Sequence, residues 1–317
     1  MKSQQVGYVL MALIAVGLAG LVFRIFAAGS DEITLRGLVQ VSSEASDKIL
    51  IRDQDSETET ELVRLGTSDT GFAWFVEDQP IFAPRLEQFW IAVSDLYDAQ
   101  LVARKPTSHS RLGIADGQGI TISFFFDSRS LQEKFIVGDW TPEVRLCYVR
   151  RAGKDEVFGI PCPQGNIFDA DPDRWKDPIA AAIPPGDIAR VEFTYPDQQF
   201  TLAVSAEGEW FVESESGQVD AANPFAVNSV LNTLQLLLST GFATEDEASK
   251  LDFAAPDAML RIVTNEEATA PTTRLRFLDR DDATVYLAIP SRSTVFIMDR
   301  RFVGRLLLKK EDFGEGR

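Results

Sequence analysis

The chain has 317 residues, 45% of them hydrophobic, and a formal charge of −17. That content can fill one or two ordinary cores, which excludes an intrinsically disordered chain. The acidic balance argues against a nucleic-acid partner, because a phosphate backbone demands clustered Lys and Arg, and it makes any membrane attachment hydrophobic rather than electrostatic.

Residues 6–23 run without a charge (VGYVLMALIAVGLAGLVF), and Ile25, Phe26, Ala27 and Ala28 extend the run past Arg24, whose stem can snorkel to an interface. This length predicts a transmembrane helix. A cleaved signal peptide is the rival reading. Cleavage after Ala27 or Ala28 would put Ile25 or Phe26 where a small residue is wanted, and no Cys follows to receive a lipid. The expectation is an uncleaved single-pass anchor and short exit over residues 1–30, in a bacterial inner or cytoplasmic membrane. Lys2 favours a cytoplasmic N-terminus and an extracytoplasmic body, while Arg24 pulls the other way. Ala12, Ala15 and Ala19 offer one helical side for packing against another span.

Alternation then predicts strands at 33–41 and 48–52 about a turn at 42–47, and at 61–65 and 72–76 about 66–70. A helix follows, opened by Pro84, with Leu86, Phe89, Trp90, Val93 and Leu96 or Tyr97 on one stripe. Further strands are predicted at 120–126, 133–137, 144–150 and 156–160, and a short helix at 175–183. Pro184-Pro185-Gly186 is the expected linker between a first repeat at 31–183 and a second at 187–317.

The second stretch repeats the order. Strands are predicted at 188–193, 199–204 and 209–212, then a helix capped by Asn223 and begun by Pro224, with Val227, Val230, Leu231, Leu234, Leu237 and Leu238 on one side. Strands at 259–263, 273–278, 284–289 and 294–298 and a last amphipathic piece at 302–308 complete it. Trp74-Phe75-Val76 returns as Trp210-Phe211-Val212, and each precedes by about 40 residues a Leu-x-[Ile/Phe] step, Leu112-Gly113-Ile114 or Leu251-Asp252-Phe253. The predicted fold class is α+β: two tandem repeats, each an antiparallel-rich sheet with one main amphipathic helix, after the N-terminal transmembrane helix.

The succession of Trp-Phe-Val, helix, Leu-Gly-Ile, Phe135-Ile136-Val137-Gly138 and Cys147-Tyr148-Val149-Arg150 resembles a bacterial domain-of-unknown-function family. Its members are single-span envelope proteins encoded beside gliding-motility-type ABC transporter components. The second copy departs from that pattern at Asp252 and Asp279, where Gly is usual. The resemblance implies an envelope-anchored accessory subunit whose partners are envelope or membrane proteins, ABC transporter components first among them. It carries over no catalytic residue and no cofactor.

Candidate chemistry is sparse. Cys147 and Cys162 are the only cysteines, and they are either a disulfide formed in an extracytoplasmic compartment or two separately buried thiols; both readings stay open. Asp169, Asp171 and Asp173 have the spacing of a calcium loop, yet the sixth and twelfth places hold Arg174 and Ala180 instead of Gly and Glu, so a solvated turn is expected. His109 is expected on an exposed loop, since neither a second His nor a Gly-x-Ser-x-Gly turn accompanies it. Gly117-Gln118-Gly119 precedes a strand and so lacks the helix start that cradles phosphate. Trp74, Phe75, Trp210 and Phe211 read first as core, and second as a partner or ligand surface.

Three functional readings follow. The adopted one is a noncatalytic, membrane-anchored adaptor without metal or cofactor, associated with an ABC-type transport assembly. The alternatives are an envelope ligand-binding module with a cleft between the repeats, and a hydrolase with an unrecognised site.

Overall fold

Alternate residues at the centre of the first strand are sealed from water, as its sequence pattern requires. In a computed structural model, β1 (Lys48–Asp53) fully buries Ile49 and Ile51 and leaves Arg52 exposed. The structure describes residues 41–67, 71–96, 99–127, 129–141, 145–161, 167–265 and 272–314. The expected transmembrane segment and, but for Val41, the strand at 33–41 lie outside these residues. Among the described residues, no helix is long and apolar enough to cross a membrane.

The first sheet gathers β1, β2 (Glu59–Thr67), β3 (Gly71–Val76), β4 (Gln79–Pro80), β5 (Gln100–Ala103), β6 (Ile120–Phe126), β7 (Ser130–Thr141), β8 (Leu146–Arg151) and β9 (Val157–Pro161). Their spatial order is β4-β3-β2-β1-β6-β7-β8-β9-β5, and helix α1 (Ala83–Asp95) falls between β4 and β5 in the chain. One cross-strand row, Val76–Leu62–Ile49–Phe124, faces the core. There Phe89 of α1 lies 6.1 Å from the Phe124 ring and 5.7 Å from Phe168, so the helix stripe meets the sheet where its spacing placed it.

The second sheet is built from β11 (Ile188–Thr194), β12 (Gln199–Val204), β13 (Trp210–Ser214), β14 (Val219–Ala221), β16 (Gly241–Phe242), β17 (Ala258–Thr264), β18 (Thr272–Asp279), β19 (Thr284–Ala288) and β20 (Val295–Asp299). Its order is β14-β13-β12-β11-β17-β18-β19-β20-β16. With β11–β14 standing for β1–β4, β16 for β5 and β17–β20 for β6–β9, the two orders are the same. Helix α2 (Pro224–Gln235) again occupies the gap before the far-edge strand, and its Val227, Val230 and Leu234 pack with Val191, Phe193, Leu202 and Ile262. The two antiparallel sheets and the short complement of helices make an α+β fold. The compact units are the described residues up to Asp78 with Ala83–Arg174, and Gln79–Phe82 with Trp175 onward. Pro184-Pro185-Gly186 lies within the second unit.

Two expected elements take a different form. No helix forms over 175–183; β10 (Ile179–Ala181) pairs instead with β15 (Leu237–Leu238). Pro178 can donate no amide inside a helix, and the Asp177 carboxylate accepts from Ile179 N at 2.9 Å, which holds a turn. That pairing also takes Leu237 and Leu238 out of α2, which ends at Gln235. The piece at 302–308 is helical only at its start, α3 (Arg300–Val303). There Asp299 caps Phe302 N at 2.8 Å, and the following turn buries Leu306.

The Leu-Gly-Ile step is explained by contact. Gly113 closes a 3-10 turn at φ 65°, Ile114 is fully buried, and a Cβ on Gly138 would stand 2.1 Å from Leu112 O. Arg150, itself 3% exposed, donates Nε to Ile114 O at 2.9 Å and Nη1 to Lys154 O at 3.1 Å, and its Nη2 meets Asp116 at 2.5 Å. The family-like residues of β7 and β8 thus hold one turn against the sheet.

Candidate functional site

A surface concavity lies at one edge of the second sheet. Asn223 accepts from Phe225 N at 2.9 Å and Pro224 follows it, so α2 starts sharply beside the outer strand β14. Strand β14 pairs with β13 alone, in the register Phe211↔Ala221, Val212↔Asp220 and Glu213↔Val219. Between that strand and the helix start lies an open groove of about 940 Å³ lined by Glu209, Trp210, Phe211, Val219, Asp220 and Phe225, among others. Phe225 is 86% exposed and Val219 57%. The lining combines apolar side chains with the exposed carboxylates Glu209 and Asp220.

The four repeated aromatics fall into different settings. Trp74 is buried, its ring 5.9 Å from Trp90, and belongs to the core of the first unit. Phe75 points to the other face and is half-buried beside a smaller cavity of about 490 Å³ that Glu59, Glu77 and Pro172 also line. Trp210 and Phe211 are half-buried and line the groove of the second unit. The sequence pattern does not single out Phe225 or Val219. For Phe225 a signal existed: it is an apolar residue off the Val227, Val230, Leu234 stripe. Val219 sits in a strand of three residues, too short for any period to show.

The remaining candidates are structural. His109 is buried rather than exposed, and its Nε2 lies 2.9 Å from Asp155 O, a bond that ties its loop down. Asp169 and Asp171 accept from the backbone of Asp171 and Asp173 at 2.9 and 3.0 Å, and Arg174 lies 3.8 Å from Asp169. No group of three His, Cys, Asp or Glu disposed to hold a metal occurs among the described residues. Gly119 has φ 63°, and a Cβ there would meet Gly113 O and Val137 O at 2.4 and 2.5 Å, so Gly117-Gln118-Gly119 is a packing turn. Cys147 is buried and disulfide-bonded; Cys162 lies outside the described residues.

Displaced titrations also trace to structural partners. A hydrogen bond from Arg150 holds the Asp116 carboxyl below its usual range, one from Lys309 does so for Asp197, and the backbone N–H of Thr244 does so for Glu247. Burial, with Asp312 and Asp197 nearby, raises the Tyr195 phenol, whose OH donates to Leu308 O at 2.8 Å. None of these groups lines the groove.

A family model described as a domain of unknown function (DUF4340) matches residues 77–256, more than half of the chain. The matched stretch runs from the end of β3 through α1, the rest of the first sheet and α2 to the residues before β17. No curated protein and no solved structure matches the chain.

Proposed function

We propose, for a chain that belongs to the DUF4340 family, that it is a noncatalytic, membrane-anchored adaptor whose extracytoplasmic body binds components of an ABC-type transport assembly in the bacterial envelope. The observation that carries this reading is the edge of the second sheet, where an unflanked strand, β14, lies beside the 86% exposed Phe225 and a groove of about 940 Å³. An outer strand with free pairing capacity is a template for an extended segment of another protein, and a neighbouring apolar slot selects its side chains. The exposed carboxylates Glu209 and Asp220 in its lining favour a segment that carries Lys or Arg.

The test is capture in mild detergent of transporter subunits identified by mass spectrometry, with the full chain, the chain lacking residues 1–30, and Phe225→Asp in the full chain. The expected outcome is the same subunits with the first two baits and at least about a tenfold weaker interaction with Phe225→Asp, as for loss of an aromatic anchor. Failure of the full chain to hold any transporter subunit overturns the adaptor reading. Unchanged capture by Phe225→Asp moves the contact away from this groove.

A further inference from the structure

The first unit carries a cluster of large exposed apolar side chains at one end of its sheet. Leu65 near the end of β2, Phe72 at the start of β3, Phe126 at the end of β6 and Leu131 at the start of β7 are 50%, 58%, 58% and 56% exposed. The registers place them together. Lys48, the first residue of β1, pairs with Val63 and with Phe125, Phe125 pairs with Leu131, and Leu65 pairs with Ala73.

Parity along the strands narrows what can cover this end. Leu65 and Leu131 lie on the face turned away from the core row, whereas Phe72 and Phe126 keep the parity of the core residues Trp74 and Phe124. A protein docked flat on the sheet would cover one parity only. Apolar residues of both parities at the strand ends form a blunt apolar end, which suits a lipid surface approached end-on. Its cations sit against rings: the Arg64 guanidinium is 4.7 Å from the Phe72 ring centre and the Lys48 ammonium 5.5 Å from Phe125. Cation-aromatic pairs of this kind serve at the headgroup level, where the ring goes in and the charge stays wet.

The chain also enters the described body here. Asp47 N donates to Phe125 O at 3.1 Å, Arg64 N to Asp47 O at 2.8 Å and Arg64 Nη1 to Ser43 O at 3.0 Å. Between Ala28, where the apolar run ends, and Val41, the backbone reaches at most about 45 Å. A body hung on residues 6–28 would therefore be tethered by this same end.

We propose that this end of the first unit docks on the lipid bilayer, with Phe72, Phe126, Leu65 and Leu131 entering the headgroup and acyl boundary. The body then rests on the membrane instead of hanging free of it. This rests on the reading of residues 6–28 as the anchor.

The test uses the full chain in phosphatidylcholine vesicles. Leu131→Cys, Phe126→Cys and, at the opposite end in the exposed β1–β2 turn, Asp55→Cys are each labelled with a polarity-sensitive fluorophore, with and without lipid that carries a quencher on its acyl chain. The expected result is loss of about half the emission at positions 131 and 126, consistent with insertion by about 5–10 Å, and none at position 55. No quenching at 131 and 126, or equal quenching at 55, overturns the proposal. A blue-shifted label that acyl-chain quencher does not reach also overturns it, since a second copy or a partner then covers the end. Carbonate extraction of the same vesicles reports on the anchor separately: retention without quenching sinks the docking alone. Release sinks the anchor reading, and the quenching still decides the docking.

Discussion

Gly138 has no room for a methyl group. A Cβ there would lie 2.1 Å from Leu112 O and 2.4 Å from the Ile114 side chain, and the first neighbour is backbone that cannot swing aside. Gly138→Ala is expected to destabilise the first unit by about 1–3 kcal/mol, seen as a lower urea midpoint with an unchanged slope. Gly186→Ala, where the new methyl would meet open space, should stay within about 0.5 kcal/mol. At Asp279, where the second copy lacks the Gly, the side chain does other work: Asp279 Oδ1 lies 3.0 Å from Arg300 Nη1, and its N–H donates to Asp257 at 2.8 Å. The pattern Val137-Gly138 was visible in the sequence; its cause, a turn pressed onto the strand from residues earlier in the chain, was not.

At the scale of elements, Arg150 fastens the Leu112-Gly113-Ile114 turn to β8. Arg150→Met would leave the Ile114 and Lys154 carbonyls without their charged donor at a cost of about 2–3 kcal/mol, read from thermal melts at neutral pH. The same guanidinium depresses the Asp116 carboxyl in the fold. A depressed carboxylate stabilises above its unfolded value of about 3.9, and that contribution is lost as pH falls through the lower folded value. Because Asp116 is 88% exposed, solvent screens the effect to a small one. The stability gap between the native chain and Asp116→Asn should narrow below about pH 4 and be absent in the Arg150→Met background.

Strands of five or more residues that alternate, such as β1, β12 and β17, and the stripes of α1 and α2, could be read from the sequence because burial on one face leaves a period. Strands of two to four residues, β4, β5, β10, β14, β15 and β16, leave none, and these form sheet edges and the candidate groove. The stretch at 175–183 was misread because its apolar residues satisfy either period, and pairing with β15, distant in sequence, decided between them. Of the groove lining, the sequence offers Trp210 and Phe211 as core first and as a partner or ligand surface second, while Val219 and Phe225 need the hairpin and the helix start to bring them alongside.

At the scale of the whole molecule, two sheets of one strand order follow each other in a single chain, and a family match bridges them. Cys147, within β8, is disulfide-bonded, and a bridge to the chain's other cysteine, Cys162, would close a loop that takes in the β8–β9 hairpin. Cys147→Ser should cost about 3 kcal/mol by releasing that loop in the unfolded chain, and a reducing agent should lower the native melting point to match while leaving Cys147→Ser unmoved. The second unit also takes in Gln79–Phe82, in which Ile81 is buried and bridges Lys176, and Phe82 N donates to Trp175 O at 2.8 Å. The units are therefore interlaced along the chain: Gln79–Pro80, which is β4 of the first sheet, is counted with the second unit. Severing the polypeptide after Arg174 would give a downstream piece with an empty seat where Ile81 belongs, so that piece should not be expected to stand alone, and complementation by the four missing residues becomes a simple assay for how much that seat matters.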